Sequence, residues 1–214
     1  MKETRIFDAP VEARAADDGT ATIAGYAATF DDEYEVFGFT ESIAKRAFAK
    51  SLKERSDELA VVWSHDADRV LGTVASGTAR FDADDHGLRY EADLDLEDPD
   101  GISAWRKITT GKVSRSSFSF EPVKDKWEER EGALPHRTIL EAKLYEASPV
   151  LWPANPATEV DVKRAVASYA EYRGVDIDAE SIEQVRAATS EPEPEPQEHS
   201  GDTPKPERTF HPYL

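Results

Sequence analysis

The stretch Gly111-Lys112-Val113-Ser114-Arg115-Ser116-Ser117-Phe118-Ser119-Phe120 decides how the centre of this chain folds. As a β-strand it divides its side chains between two faces, with Ser114, Ser116, Phe118 and Phe120 on one and Val113, Arg115, Ser117 and Ser119 on the other. The phenylalanines require the core face, so Ser116 is expected to be a small, hydrogen-bonded packing residue. Ser117 is then free to face a cleft. It is the candidate nucleophile.

A serine hydroxyl needs a base within hydrogen-bond reach before it can act as a nucleophile. The second informative stretch, Trp63-Ser64-His65-Asp66, ends an apolar run that is typical of a strand. Among the histidines, only His65 ends such a strand; the others lie in turns or in the polar tail, at His86, His136, His199 and His211. The alternative is a histidine that caps the strand or bonds Asp66. Together, His65 and Ser117 predict the base and nucleophile of a serine hydrolase.

A carboxylate that orients the histidine is expected in the strand-like run 138–146. Glu141 faces outward and is the preferred candidate, although a structural salt bridge to Lys143 explains it equally well. Glu146 falls on the apolar face and is the second candidate, as a buried and paired carboxylate. Donors for an oxyanion hole are backbone N–H groups, Arg115 or Arg137.

Composition excludes several classes of function. The chain has 214 residues, a net charge of -18 and no cysteine. The charge argues against nucleic acid or an anionic membrane as a partner. The absence of cysteine excludes disulfides, thiolate catalysis and thiolate zinc sites, and no cofactor is predicted. No stretch is apolar enough for a membrane span or a signal peptide, so a soluble cytoplasmic protein is expected.

The periodicities predict an α+β fold, a small antiparallel β-barrel or curled sheet decorated by several helices. Strands are predicted at 20–30, 59–65, 70–74, 78–81, 88–94, 112–121 and 137–147. Helices are predicted at 41–55, 99–110, 158–173 and 179–188. The expected organisation is a folded domain at 1–174, a short helical extension at 175–190 and a disordered, acidic, Pro-rich tail at 191–214.

Six motifs occur in a fixed order between residues 20 and 158. They are Gly25-Tyr26-Ala27 with Glu41-Ser42-Ile43 through Ala47-Phe48, Trp63-Ser64-His65-Asp66, Val70-Leu71-Gly72, Asp85-His86-Gly87-Leu88, the 111–120 run, and Leu144-Tyr145-Glu146-Ala147-Ser148-Pro149-Val150 with 152–156. In these motifs the chain resembles the prohead (procapsid maturation) proteases of tailed phages. That family is similar in fold and catalytic logic to the herpesvirus assemblins.

The resemblance implies a serine endopeptidase that cleaves scaffold or the capsid-protein delta domain inside the procapsid, in the host cytoplasm. It places the base on His65 and the nucleophile on Ser117. The third residue of the family is usually acidic, and Glu141 lies at a suitable interval. Ser119 stands where the family often has glycine. The implied partner is a capsid or scaffold protein, and a homodimer is left open.

Two alternatives remain at this point. One is a non-enzymatic procapsid scaffold component that keeps the same fold. The other is a metal-dependent hydrolase that uses His65, Asp66 and Asp68, although no second cluster of ligands completes such a site.

Overall fold

Ten β-strands dominate the part of the chain that the computed structural model describes, which is residues 2–15, 20–36, 38–151, 170 and 172–174. The strands are β1 (Glu3–Ala15), β2 (Ala21–Thr29), β3 (Tyr34–Val36), β4 (Phe39–Ile43), β5 (Ala60–Trp63), β6 (Asp66–Thr73), β7 (Ala79–Ala83), β8 (Gly87–Leu94), β9 (Arg115–Glu128) and β10 (His136–Val150). Two α-helices, α1 (Ala49–Glu54) and α2 (Pro99–Thr109), and a 3₁₀ turn at Ser56–Glu58 complete it. All these elements belong to one compact unit, Met1–Asp176.

The strands form a single large sheet in the order β3-β4-β10-β9-β1-β2-β8-β7, with β5 beside β10 and β6 beside β5. Strand β10 is central because it pairs along its length with β9 and also with two shorter strands. It runs parallel to β4 near its start and parallel to β5 near its end. The other pairings in the described part are antiparallel. The end of β10 therefore lies between β9 and β5.

The predicted α+β fold, a small antiparallel β-barrel or curled sheet decorated by several helices, is wrong. The described residues form a mostly β structure, with a large, open and mixed sheet and two α-helices. The parallel pairings of β10 rule out a purely antiparallel sheet. The outermost strands of the main path, β3 and β7, pair only with β4 and β8 within the described residues, so the sheet does not close.

The predicted helix at 41–55 is also wrong over its first half. Residues Phe39–Ile43 form β4, which lies between β3 and β10, and α1 covers only Ala49–Glu54. Glu41 is completely buried, and Arg5 donates a hydrogen bond to it from Nε at 2.7 Å. Helical spacing of apolar residues cannot reveal such a buried ion pair, because the partner is supplied by a distant strand.

The 111–120 stretch follows its predicted alternation only in part, because β9 begins at Arg115 and not at residue 112. Ser117, which was expected to face a cleft, is fully buried. Phe118 and Phe120 are fully buried in the hydrophobic core, and the Ser116 and Tyr90 hydroxyls are 3.0 Å apart. The prediction that Ser116 is a hydrogen-bonded packing residue is therefore confirmed. Strand β1 was not predicted, because its buried Glu3 and Arg5 have the sequence pattern of a solvated face.

Helix α2 follows the sequence rules closely and leads directly into β9. The Asp98 side chain caps it by accepting a hydrogen bond from the Asp100 N–H, and Pro99 occupies the first turn. Gly111, which follows the helix, has a φ of 68°, a conformation that glycine adopts without strain. Five residues, 110–114, thus separate helix α2 from the strand that carries Ser117.

The predicted helix at 158–173 lies almost entirely outside the described residues. The extension at 175–190, with its helix at 179–188, and the tail at 191–214 lie wholly outside them, so the proposed domain boundaries stay a prediction. In the described part of the chain, no helix has the length and apolar character needed to cross a membrane.

Candidate active site

His65 lies in the tight turn of the β5–β6 hairpin. Trp63 pairs with Asp66, so Ser64 and His65 form a two-residue connection. Their φ angles are 53° and 64°, as in the type I′ turn that suits the twist of a hairpin. A left-handed conformation costs about 1–2 kcal/mol for a residue with a Cβ atom. The turn therefore stores strain at the residue that presents the imidazole.

The partner of the imidazole is Glu146 on β10. His65 Nδ1 and Glu146 Oε1 are 2.7 Å apart. An ionised carboxylate can only accept a hydrogen bond, so Nδ1 carries a proton and donates the hydrogen bond to Glu146. In the neutral imidazole, this tautomer leaves the lone pair on Nε2, which is buried and has no hydrogen-bond partner among the residues that the structure describes. This is the arrangement of a general base whose acceptor nitrogen is unoccupied.

Glu146 is a buried carboxylate that is held in its charged form. Burial acts to raise the pKa of Glu146, but the hydrogen bond and the electrostatic attraction of His65, with the hydroxyls of Ser119 and Ser148, outweigh it. The pKa of Glu146 therefore lies below its ordinary value. The charge can orient the histidine and stabilise an imidazolium.

Ser148 joins the turn to the carboxylate. Its hydroxyl donates to Glu146 Oε2 at 2.6 Å and accepts from the backbone N–H of His65 at 3.1 Å. The Ser64 N–H donates to the Pro149 carbonyl at 3.3 Å. Sequence reasoning gave Ser148 no role. Its two-residue spacing from Glu146 on a strand was the available signal, because it places both side chains on one face.

Ser117 lies one strand away from this group. It is fully buried on β9 and is the register partner of Ser148, so the two side chains share a face of the sheet. Its hydroxyl donates to the Arg5 carbonyl on β1 at 2.8 Å. The structure thus brings Ser117 and His65 to the same region, with the Ser117 proton directed to β1.

Ser119 lies on the same face of β9 and also touches the site. Its Oγ is 3.4 Å from His65 Nδ1 and 3.4 Å from the Thr4 hydroxyl, and its register partner is Glu146. Sequence reasoning placed Ser119 on this face but gave it no role. The nitrogen that it approaches already donates to Glu146.

Glu141 lies elsewhere on β10. Its carboxylate forms ion pairs with Lys124 at 2.8 Å and Lys50 at 3.4 Å. The hydrogen bond from Lys124 lowers the pKa of Glu141. The pairing of β10 with β9 is irregular between Ile139 and Glu141 and again between Leu144 and Glu146. Glu146 nevertheless lies on the buried face with Ala142 and Leu144, as the alternation predicts, and it is Glu146 that reaches His65.

The arginines proposed for an oxyanion hole have different surroundings. Arg137 is buried in an ionic cluster, where it contacts Asp125 at 2.7 Å and Glu41 at 3.1 Å. Arg115 begins β9, two residues before Ser117, and is the register partner of both Pro10 and Val150. Arg137 is therefore committed to structural ion pairs.

The residues proposed as metal ligands lie in the β5–β6 turn, for His65, and at the start of β6, for Asp66 and Asp68. The Asp66 carboxylate accepts a hydrogen bond from the Asp68 N–H at 3.0 Å. Within the described residues, no cluster of three or more His, Asp or Glu side chains is arranged to hold a metal ion.

Residues 8–172 match the family model described as caudovirus prohead serine protease. The chain belongs to this family. No curated protein and no solved structure matches it significantly. As a member of the prohead serine proteases, the protein is a phage procapsid protease, with capsid or scaffold protein as its class of substrate. The matched range contains His65, Ser117, Ser119, Glu146 and Ser148.

Proposed function

We propose that this protein is an endopeptidase that cleaves scaffold or the capsid-protein delta domain inside the assembling procapsid, with His65, Ser117 and Glu146 as its catalytic triad. One observation carries the proposal: His65 donates from Nδ1 to a buried carboxylate, while Nε2 is buried without a partner in the described part of the chain. Family membership supplies the reaction class.

In the proposed reaction, the Ser117 hydroxyl turns from the Arg5 carbonyl towards His65 Nε2. Nε2 takes the hydroxyl proton as Oγ attacks the scissile carbonyl, and Glu146 stabilises the imidazolium. The imidazolium then gives the proton to the leaving amine as the C–N bond breaks, which leaves an acyl-enzyme. Water attacks the ester with His65 again as base, and the carboxylic acid product and free Ser117 are released.

The position of the two carboxylates favours Glu146 over Glu141 as the third member. Glu146 lies 2.7 Å from His65 Nδ1 and is buried, whereas Glu141 is held between Lys124 and Lys50. A buried carboxylate acts on the imidazole with little screening by water. The acid therefore follows the nucleophile by 29 positions along the chain.

Two observations favour Ser117 over Ser119 as the nucleophile. Ser117 is the register partner of Ser148, which holds the histidine turn. Ser119 approaches Nδ1, which carries the proton and cannot act as the base for it. The Ser119 hydroxyl instead supports the charge of Glu146.

A fluorophosphonate probe, which modifies activated serines, tests these assignments. We expect the wild type and Ser119→Ala to be labelled at Ser117, and Ser117→Ala to be unlabelled and unable to process co-expressed scaffold or capsid protein. Labelling that persists in Ser117→Ala but disappears in Ser119→Ala would transfer the nucleophile to Ser119. An unreactive wild type that folds normally would favour a non-enzymatic procapsid component with this fold.

A further inference from the structure

The His65 turn is held from two sides, and only one of them belongs to the proposed triad. On the β10 side, Ser148 and Glu146 bond its backbone and its imidazole. The turn itself is strained, because Ser64 and His65 both have positive φ angles. A strained turn persists only when its surroundings hold it in place. The second side is helix α2.

Arg69 of β6 forms a hydrogen-bonded ion pair with the first turn of helix α2. Its Nε and Nη2 both donate to Asp100 Oδ1, at 2.8 and 2.6 Å, and each side chain is 32% exposed. The Asp100 N–H in turn donates to the Asp98 cap at 2.9 Å. A two-donor arginine contact to a carboxylate restricts orientation more than a single bond does. The hairpin is thus attached to a capped helix end.

That helix end is itself fixed. A Cβ atom on Gly101 would lie 2.0 Å from the Asp95 carbonyl oxygen, so the helix backbone lies against the segment that precedes it. Since Gly101 directly follows Asp100, the carboxylate that holds Arg69 has little freedom to move. The attachment point is therefore rigid.

Trp63, which ends β5 just before the turn, gives a second point of attachment. Lys107 Nζ lies 4.8 Å from the centroid of the Trp63 ring, and the Arg69 guanidinium carbon lies 5.7 Å from it. Asp100 and Lys107 are seven residues apart, so they share one face of helix α2. One helix face therefore holds both strands of the hairpin.

The same helix leads to the proposed nucleophile. The Lys107 carbonyl accepts hydrogen bonds from the N–H groups of Lys112 and Val113, at 2.9 and 3.1 Å. These bonds fix the turn between α2 and β9, and Ser117 follows on β9. A displacement of α2 would therefore alter the base hairpin and the nucleophile strand together.

We propose that Arg69 and Asp100 are positioning residues. Their contact holds the β5–β6 hairpin against helix α2 and thereby sets the distance and direction between His65 and Ser117. The inference rests on the proposed function. Neither residue reaches a reacting atom; both act through the hairpin backbone. Lys107, whose ammonium group lies over the Trp63 ring, adds a second contact between helix α2 and the β5–β6 hairpin, nearer the other end of the helix.

The test uses the full-length chain and the fluorophosphonate probe, with the maximal labelling rate and the half-saturating probe concentration measured separately. We expect Arg69→Gln and Asp100→Asn each to lower the maximal rate about 10- to 100-fold, as small misplacements of reacting groups do. Half-saturation should be unchanged. Arg80→Gln is the matched control, because Arg80 on β7 pairs with Glu91 and Asp93 on β8, and these ion pairs do not join the β5–β6 hairpin to helix α2.

A double variant and a spectroscopic readout separate positioning from a general loss of stability. Because the two side chains act through one contact, the double variant should be no slower than either single variant. The proton between His65 Nδ1 and Glu146 should give a downfield NMR resonance that Glu146→Gln removes. We expect Arg69→Gln to broaden or shift that resonance and Arg80→Gln to leave it unchanged.

The outcomes distinguish this inference from the function on which it rests. Suppose that the wild type is labelled but Arg69→Gln and Asp100→Asn are labelled as fast as Arg80→Gln, or that the losses of the two variants add in the double variant. Either result would overturn the positioning role and leave the protease proposal intact. An unchanged resonance in Arg69→Gln would also overturn it. A wild type that the probe does not label would instead overturn the proposed function.

Discussion

In the proposed mechanism, the chemistry of His65 depends on Glu146. It fixes the proton on Nδ1 and leaves the lone pair on Nε2, and two serine hydroxyls support its charge. Its carboxylate must be ionised to do so. The lowered pKa of Glu146 meets this requirement over the whole neutral range.

Replacement of Glu146 by glutamine should separate it from Glu141. Glutamine is similar in size but can donate a hydrogen bond, which disfavours the required tautomer and removes the charge. We expect Glu146→Gln to slow fluorophosphonate labelling of Ser117 by about 10³- to 10⁴-fold, the effect of removing the orienting acid from a serine triad. Glu141→Gln should stay near the wild-type rate. A larger loss in Glu141→Gln would return the role to that residue.

Ser148→Ala should change how stability depends on pH. The pKa of Glu146 is lowered in the folded chain, so its contribution is present above the unfolded value of about 4.3 and is lost as pH falls through the folded value. Without the Ser148 hydroxyl, the folded pKa rises towards the unfolded value, so this contribution is smaller and the stabilities of the variant and the wild type converge as pH falls below about 4.3. Removal of this buried partner should also cost about 1–3 kcal/mol at neutral pH.

Urea unfolding at a series of pH values between neutral and acidic checks this expectation. Ser76→Ala is a suitable control, because the Ser76 hydroxyl bonds only an exposed turn, through Thr73 and Thr78. If the stability curves of Ser148→Ala and the wild type stayed parallel as the pH falls, the assigned role of Ser148 would be incorrect.

At the scale of the element, the turn of the β5–β6 hairpin, which presents the imidazole, carries backbone strain that lowers the stability of the fold. Its turn would suit glycine or asparagine, and it contains serine and histidine instead. In the proposed mechanism, replacement of His65 would remove the base. The exposed Ser64 can be replaced, so it reports the strain of the turn.

Ser64→Gly should stabilise the protein. Glycine removes the penalty of about 1–2 kcal/mol for a left-handed residue, less its own entropic cost of about 0.5–1 kcal/mol. A net gain of about 0.5–1 kcal/mol in the free energy of unfolding is expected. Ser64→Ala keeps the Cβ atom and should give no gain, and equal stabilities of the two variants would show that the turn is unstrained.

Across the whole molecule, a buried ionic cluster joins strands β1, β4, β9 and β10. Its members are Glu3, Arg5, Glu41, Asp125 and Arg137. Burial acts to raise the pKa of Glu41, but Arg5 and Arg137 outweigh it and lower that pKa. The cluster fixes the backbone of β1, whose Arg5 carbonyl accepts the Ser117 hydroxyl.

Glu41→Gln should be strongly destabilising, because it leaves buried guanidinium groups with too little negative charge. A loss of about 3–5 kcal/mol is expected from the removal of one partner of a buried ion pair. Glu12→Gln, which breaks the exposed pair with Arg14, should have little effect. Urea unfolding at neutral pH compares the two, and similar losses would contradict the assigned importance of the cluster.

The sequence by itself determined the two faces of the 111–120 strand, the capped helix α2, the hairpin of β7 and β8, and family membership. These features follow from local spacing and capping, which neighbouring residues specify. The contact of Glu146 with His65, the hydrogen bonds of Ser148 and the pairing of Glu41 were decided only by tertiary structure. They depend on partners far along the chain, and local periodicity carries no information about such partners.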